Sequence, residues 1–401
     1  MAYNPLIIIP GPAISLLDIV DENGNKIKKA WPVDIDKQAV LNLLKSSMMK
    51  MMLLRKDCGF SYSVAKIAAD AVEPLSVNPD GTKKHNVKAY EIKPSYKNCS
   101  EGFRNLINKA FSAEKIADAI GEDNIFCFSY DMFGDIYTVA DELDKFIGTV
   151  KKSAASEKVD LLCVSLGGTV LKAYLDAHSQ KNDVEKVISV ASLMNGSSLI
   201  ADAFEGKLSL NDTGALLALL GEKGATLSSL MGMLPPDAIE NTVTKCMAII
   251  KNSLLNSCTM MWACIPNDRF DAVYAAIMPK GSELDKKVTK LYNYSLNLSS
   301  ELKALEAQGM KFCQLCGYGK NLIPLTENNA VCSDGVVDTS LASFGAVCTS
   351  VDATPDNSGC LFGDTTWFIR DAEHLSINHS SKAADIVAAI LTDSADMSKY
   401  Q

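Results

Sequence analysis

Histidine is scarce in this chain, with four among 401 residues. Positive charge is in deficit too: 39 Lys and Arg stand against 48 Asp and Glu, a formal net charge of −9. An acidic surface is not drawn to polyphosphates, so nucleic acid and an anionic membrane are excluded as partners held by net charge, although a neutral lipid is not. No stretch of about 18 uninterrupted apolar residues occurs, which excludes a membrane-spanning helix. No G-x-G-x-x-G opens a helix after a strand, so a dinucleotide cofactor is not expected, nor is any other cofactor. The apolar start, Met1 to Leu17, has no basic leader and is interrupted by Pro10-Gly11-Pro12, so it does not read as a secretory signal. Twelve cysteines are scattered, several inside apolar runs (Cys127, Cys163, Cys313), which is the pattern of reduced thiols in a cytoplasm. Cys313-x-x-Cys316 has no second pair at ligand spacing, and no metal site is expected.

The chain is organised around Leu161-Leu162-Cys163-Val164-Ser165-Leu166-Gly167-Gly168-Thr169-Val170. The apolar run Val159 to Val164 stops at a serine, and two glycines lead into Thr169 to Ala177, whose spacing is helical. A serine on such a strand–turn–helix junction projects its hydroxyl from the carboxyl end of a buried strand, with the next N–H aimed at the same place. The pattern approaches G-x-S-x-G, with Cys163 where its first glycine belongs.

A serine hydroxyl needs a base to take its proton and a third group to orient that base. His85, in a polar segment, and His178, ending the helix after Ser165, read as surface residues. His374 and His379 precede the last helix, where a base belongs in a chain of order Ser, Asp, His; His374 is the preferred base and His379 the fallback. Asp334, in Ser333-Asp334-Gly335, offers the acid between them, with Asp338 as runner-up that reads more easily as a helix cap. Glu373 is expected to face solvent.

The rest of the chain reads as alternating elements. Asp21 to Asn25 is a hairpin tip. Asp34 is placed as the N-cap of a helix running to about Leu54, whose methionines Met48, Met49, Met51 and Met52 surround it; the preferred reading is a helix buried beneath other elements, the other an adaptable apolar surface for acyl chains. Asn86 to Ile92 and Ile125 to Tyr130 are strand-like, Thr138 to Lys151 is helical, and Lys186 to Ala191 and Phe312 to Gly317 are buried strands. Trp367 to Ile369 ends the sheet, Lys382 to Leu391 forms the final helix, and Asp393 to Gln401 frays. Strand and helix alternating at this spacing predict an α/β fold with a mostly parallel sheet covered on both faces. The alternation breaks from about Ser197 to Gln308, with helical runs at Leu208 to Leu220, Leu227 to Leu234 and Val243 to Ile265. The predicted organisation is a core over 1–196 with an insertion around 58–98, an inserted helical cap over 197–308, and the second part of the core over 309–401.

Several of these stretches together resemble the lecithin:cholesterol acyltransferase-like branch of the α/β-hydrolases, which includes acyltransferases, phospholipases and related lipases. Pro5-Leu6-Ile7-Ile8-Ile9-Pro10-Gly11 resembles its first core strand and oxyanion loop, Phe128-Ser129-Tyr130-Asp131 its Tyr-Asp segment, and Val164-Ser165-Leu166-Gly167-Gly168 its nucleophile turn. Val187 to Ser197 resembles the strand and loop that follow, Ser333-Asp334-Gly335-Val336-Val337 and Glu373-His374-Leu375 its acid and base segments, and Leu227 to Pro235 a cap segment. Val164 and Met132 stand where the family has histidine and tryptophan, and Pro12 stands where it uses a backbone N–H that proline lacks.

The resemblance implies an α/β-hydrolase fold and acyl transfer from a carboxylic ester, of the lipid type, through a Ser165–Asp334–His374 triad. It implies an oxyanion hole from Leu166 and the Pro12–Ala13 stretch, in which Ala13 N–H substitutes for Pro12 or Leu166 works with another donor. Gly11, Met132, Met231 and Leu234 are the implied substrate pocket. The partner is a small-molecule ester or lipid; no oligomeric state is assigned. Three other readings stay open: a relic of the fold that binds a lipid or a protein, a peptidase or small-ester esterase, and, least, a dinucleotide enzyme.

Overall fold

The computed structural model describes residues 3–12, 14–33, 37–90, 92–207, 234–322, 331–377, 380–394 and 397–400. Expected features at Ala13, Asp34, Leu208 to Met233 and His379 lie outside the described residues.

The chain opens with the apolar strand β1 (Leu6–Ile9), then β2 (Leu17–Val20) and β3 (Lys26–Trp31), helices α1 (Lys37–Leu54) and α2 (Phe60–Val72), and β4 (Val87–Ala89). There follow α3 (Glu101–Phe111), α4 (Ala113–Ile120), β5 (Ile125–Cys127), α5 (Ile136–Ala154), β6 (Val159–Val164), α6 (Gly167–His178), β7 (Val184–Val190) and α7 (Ser198–Glu205). A helical stretch comes next: α8 (Pro236–Ile250), α9 (Thr259–Trp262), α10 (Asn267–Ile277), α11 (Glu283–Leu296) and α12 (Leu298–Ala307). The chain then returns to strand with β8 (Lys311–Tyr318), β9 (Lys320–Asn321) and β10 (Cys332–Ser333), and closes with α13 (Thr339–Ala342), β11 (Thr366–Arg370) and α14 (Ser381–Leu391).

Six strands form one sheet in the order β11-β8-β7-β6-β1-β5, and every pairing is parallel. Parallel strands need crossovers, and the intervening helices cover both faces, so strands such as β1 and β6 are buried along their whole length. Alternate residues of β1 accordingly enter two separate apolar cores: Ile7 and Ile9 pack with α5 and α6, Leu6 and Ile8 with α3, α4 and α14. The architecture is that of an α/β-hydrolase, with the serine at the carboxyl end of a central strand. A small antiparallel sheet, β3-β2-β4, hangs from the loop after β1. Its hairpin tip is held by Asp21, whose carboxylate accepts N–H bonds from Asn23 and Asn25. No helix among the described residues is long and apolar enough to cross a membrane.

Four sequence expectations are corrected. The run Val243 to Ile265 is not one helix: α8 passes into a π-helical turn at Lys251–Leu255 and the chain re-enters helix only at Thr259. At the break two backbone carbonyls bond outside the helical ladder: that of Ser253 accepts Val77 N–H and that of Asn256 accepts the Trp262 indole N–H. Helix α1 is not sheathed all round, because Met51 is fully buried while Met49 is 79% exposed. Strands β4 and β5 are shorter than their apolar spans, although Phe128 N–H still bonds Ile8 C=O past the end of β5. The C-terminal tail does not simply fray: Ser398–Tyr400 forms a turn, with Met397 and Tyr400 packed on the core beneath α14.

Lys172, on α6, is 3% exposed, and among the described residues its ammonium donates only to Ala263 C=O, at 3.0 Å. Burial pushes its pKa down from 10.5 to about 8. An amine depressed in the folded state binds its proton more tightly when unfolded, so below pH 8 the fold carries the full penalty, which fades as pH rises from 8 to 10.5. Lys172→Met is therefore expected to raise stability at pH 7 by about 2 kcal/mol after the loss of one hydrogen bond. Urea unfolding of both proteins from pH 7 to 10 checks this, and a variant no more stable at pH 7 refutes it.

Candidate active site

Ser165 follows β6 directly, and its backbone is in the left-handed region at φ 53°. A residue with a Cβ enters that region at a cost of about 1–2 kcal/mol, so the turn is held by its surroundings. Ser165 N–H donates to Val190 C=O, and its carbonyl accepts from Gly168 and Leu193 N–H. Gly167 and Gly168 let α6 start against the strands: a Cβ at 167 would sit 2.2 Å from Ile9 O, and one at 168 would sit 1.8 Å from Ser192 Oγ. Cys163, in place of the motif's first glycine, fits within β6 opposite Ile9. Its burial holds the thiol protonated, so it is no rival nucleophile.

The Ser165 hydroxyl is 2.8 Å from His374 Nε2, and His374 Nδ1 is 2.8 Å from Asp334 Oδ2. These three groups come from the ends of β6, β10 and β11. His374 N–H also donates to Asp334 C=O, which ties the two loops together at the backbone. The second carboxylate oxygen of Asp334 accepts Val336 and Val337 N–H at 3.0 and 2.8 Å. Asp334 is 2% exposed, whereas Ser165 and His374 each keep 9% and remain reachable from solvent.

Asp338 has another task. Its carboxylate accepts from Ser198 N–H and Oγ–H at 2.8 and 2.6 Å, so it caps α7 rather than the helix it precedes. Burial raises its pKa. Glu373 is exposed, as read from the sequence, and His85 and His178 pair with Glu73 and Asp141 away from the three central residues.

The loop after β1 is closely packed on the serine. A Cβ on Gly11 would lie 3.2 Å from Ser165 Cβ. Tyr130 Oη–H, fully buried, donates to Pro10 C=O at 2.7 Å, and Trp31 Nε1–H donates to Pro12 C=O at 2.9 Å. The loop is thus held from both sides by groups that sequence reasoning gave no role. Among the described residues Leu166 N–H meets no protein acceptor, and it stands at the N-terminal, positive end of α6. Gly317, on β8, is a further omission, because a Cβ there would come within 2.6 Å of Asp334 Cβ.

The implied pocket residues are dispersed. Gly11 is at the serine; Met132 is 1% exposed in the main core; Leu234 packs with Met51, Phe60 and Ala238 in a separate cluster; Met231 is outside the described residues. A cavity lined by Ile136, Lys172, Trp262 and Asn267 contains none of Ser165, His374 and Asp334.

Residues 92–229 match the family model of palmitoyl protein thioesterase. That span contains Ser165 and both glycines after it, and stops short of Asp334 and His374. Among solved structures, the mature lipase BlEst2 of Bacillus licheniformis is similar at 16% identity and a TM-score of 0.33, over 70% of this chain and 83% of that one. The Tle4–Tli4 complex is similar at 12% identity and a TM-score of 0.36, over 98% of this chain and 99% of that one. A lipase-esterase related protein from Clostridium acetobutylicum ATCC 824 is similar at 12% identity and a TM-score of 0.19, over 48% of this chain and 87% of that one. No curated protein matches the chain.

Proposed function

We propose that this chain is a serine hydrolase that cleaves carboxylic esters or thioesters of long acyl chains through a covalent acyl-enzyme, and that it falls in the lecithin:cholesterol acyltransferase-like branch. The observation that carries the reading is the unbroken hydrogen-bonded line from Ser165 Oγ through the imidazole of His374 to Asp334. His374 Nε2 takes the hydroxyl proton as Oγ attacks the acyl carbon, and Asp334 holds Nδ1–H and stabilises the imidazolium. The imidazolium then protonates the leaving alkoxide or thiolate as its bond to the acyl carbon breaks. Water, or an alcohol in the transferase variant of this reading, releases the acyl group by the reverse proton path. Leu166 N–H is one oxyanion donor, with Gly11 N–H or Ala13 N–H as the second, since Pro12 has none. The helices between 197 and 308 act as the cap that walls off water and supplies apolar contacts. Twelve unpaired cysteines favour a reducing compartment, the cytoplasm in this reading.

Treating the wild-type protein with a fluorophosphonate probe tests the proposal: the adduct should map to the peptide bearing Ser165, and a folded protein that does not label overturns it. The missing N–H at Pro12 favours a second reading, a binding module descended from such an enzyme, and absence of label is what that reading expects. Trp31 is a positioning residue here. Trp31→Phe keeps the ring contact with Phe133 but frees Pro12 C=O, and is expected to lower kcat about tenfold with KM and Tm nearly unchanged. Turnover of a chromogenic ester measures it; an unchanged kcat would remove Trp31 from the account.

A further inference from the structure

The acidic balance of the chain is not evenly spread. From Lys37 to Lys56 it carries five cations (Lys37, Lys45, Lys50, Arg55, Lys56) and no carboxylate. The same stretch is almost all α1, and that helix is apolar on two opposite sides. On one, Met51 is fully buried against Phe60, Leu234 and Ala238, with Leu43 packed beside it. Residues two positions away point roughly 200° round the helix, and there Met49 is 79% and Leu53 82% exposed; Leu54, the last residue of the helix, is 58% exposed. The outward stripe reads Lys45, Met49, Leu53 at helical spacing, with Lys50 and Leu54 to one side of it, and Arg55, in the left-handed region at φ 48°, and Lys56 follow the end of the helix. Lys45, Lys50, Arg55 and Lys56 are all exposed, and none has an ion-pair partner among the described residues.

A solvated helix face does not set Met49 and Leu53 one turn apart and both largely exposed, with a third large apolar side chain, Leu54, exposed at the helix end. The interleaved lysines decide what covers it. The core of a protein–protein interface is depleted in lysine, because each ammonium would have to be stripped of water. At a lipid surface the same side chains lie with their stems in the acyl boundary and their ammonium groups at phosphate level. We propose that this face of α1 docks the protein onto an anionic lipid surface, with Met49, Leu53 and Leu54 entering the interface and Lys45, Lys50, Arg55 and Lys56 meeting the phosphates. A chain with net charge −9 is repelled by such a surface everywhere except where cations are gathered, so the patch also fixes the orientation of approach. The inference stands on this surface alone and not on the chemistry proposed for Ser165.

Co-sedimentation of the full-length protein with phosphatidylcholine vesicles, with and without roughly one-third phosphatidylglycerol, tests it. The wild type should bind the anionic vesicles about tenfold more tightly than neutral ones at low salt, and lose that advantage at high salt. Met49→Ser with Leu53→Ser should weaken binding to anionic vesicles about tenfold, and Lys45→Glu with Lys50→Glu should remove the preference for anionic lipid, both at unchanged Tm. Ser165→Ala should bind as the wild type does, which separates this result from the fate of the catalytic proposal. Failure of the wild type to sediment with anionic vesicles, or variants that sediment equally well, overturns the proposal. So does a dimer that the Met49 and Leu53 changes dissociate without any vesicle binding, because the face then serves a second copy of the chain.

Discussion

Ser165→Ala is expected to lower kcat for a chromogenic ester by about 10⁶ and to abolish fluorophosphonate labelling, while leaving the fold intact. The expectation rests on the division of labour in the proposed reaction. Without Oγ no acyl-enzyme forms, and only oxyanion donors and substrate binding remain to assist water. His374→Ala should fall about as far, and the double variant no further, because the two groups act as one unit. Asp334→Asn should cost about 10⁴, since the carboxamide still fills the space but presents the wrong group to Nδ1. Asp338→Asn should instead be read out in stability with kcat retained, because its carboxylate serves Ser198. Equal kcat losses in the two Asp→Asn variants would show that Asp334 has been given the wrong task, and full turnover in Ser165→Ala would end the proposal.

The second large effect is on the fold. Gly167→Ala is expected to destabilise the protein by about 3 kcal/mol or more, because the added Cβ would sit 2.2 Å from Ile9 O and 3.0 Å from Ile9 C. Both atoms are backbone, in a strand hydrogen-bonded on either side, so relief requires moving β1 or α6 as a whole. Gly168→Ala should cost less, although its nearest contact is nominally closer at 1.8 Å, since that contact is the hydroxyl of Ser192, which can rotate away. Urea unfolding of the two variants checks the ranking. A Gly167→Ala protein within 0.5 kcal/mol of wild type, about the size of a neutral surface change, would mean that α6 is not seated as described.

The central sheet was legible because each of its long strands is an uninterrupted apolar run separated from the next by a helical repeat, so local pattern and global arrangement agree. Ser165, Asp334 and His374 could be singled out because few histidines compete and because each follows an apolar run in a fixed order. The supports of the loop after β1 were not legible. Trp31 and Tyr130 reach Pro12 and Pro10 across 19 and 120 residues, and nothing in the local spacing of an aromatic residue announces a distant carbonyl. Gly317 carried no signal either, since a glycine inside a strand does not say which loop will lean on it. Periodicity misjudged α1 for a related reason: apolar residues on both sides of a helix read as complete burial, whereas here only one side meets the protein. The run from Val243 to Ile265 was read as continuous because its polar residues are spaced so that a helix could carry them, and nothing in that spacing shows that the backbone carbonyls of Ser253 and Asn256 bond to Val77 N–H and the Trp262 indole N–H instead of within the helix.

His374 lies four residues beyond β11, and among the described residues β11 is the outermost strand of the sheet, paired on one side only. Edge elements detach at lower cost than central ones. In mild denaturant the imidazole would therefore leave the serine while the middle of the sheet still stands, and the proposed catalysis would vanish before the circular dichroism of the protein changes. On the proposed reaction, turnover would report the docking of one marginal strand, and ligands or substitutions that fasten it would extend the working range without touching Ser165, His374 or Asp334.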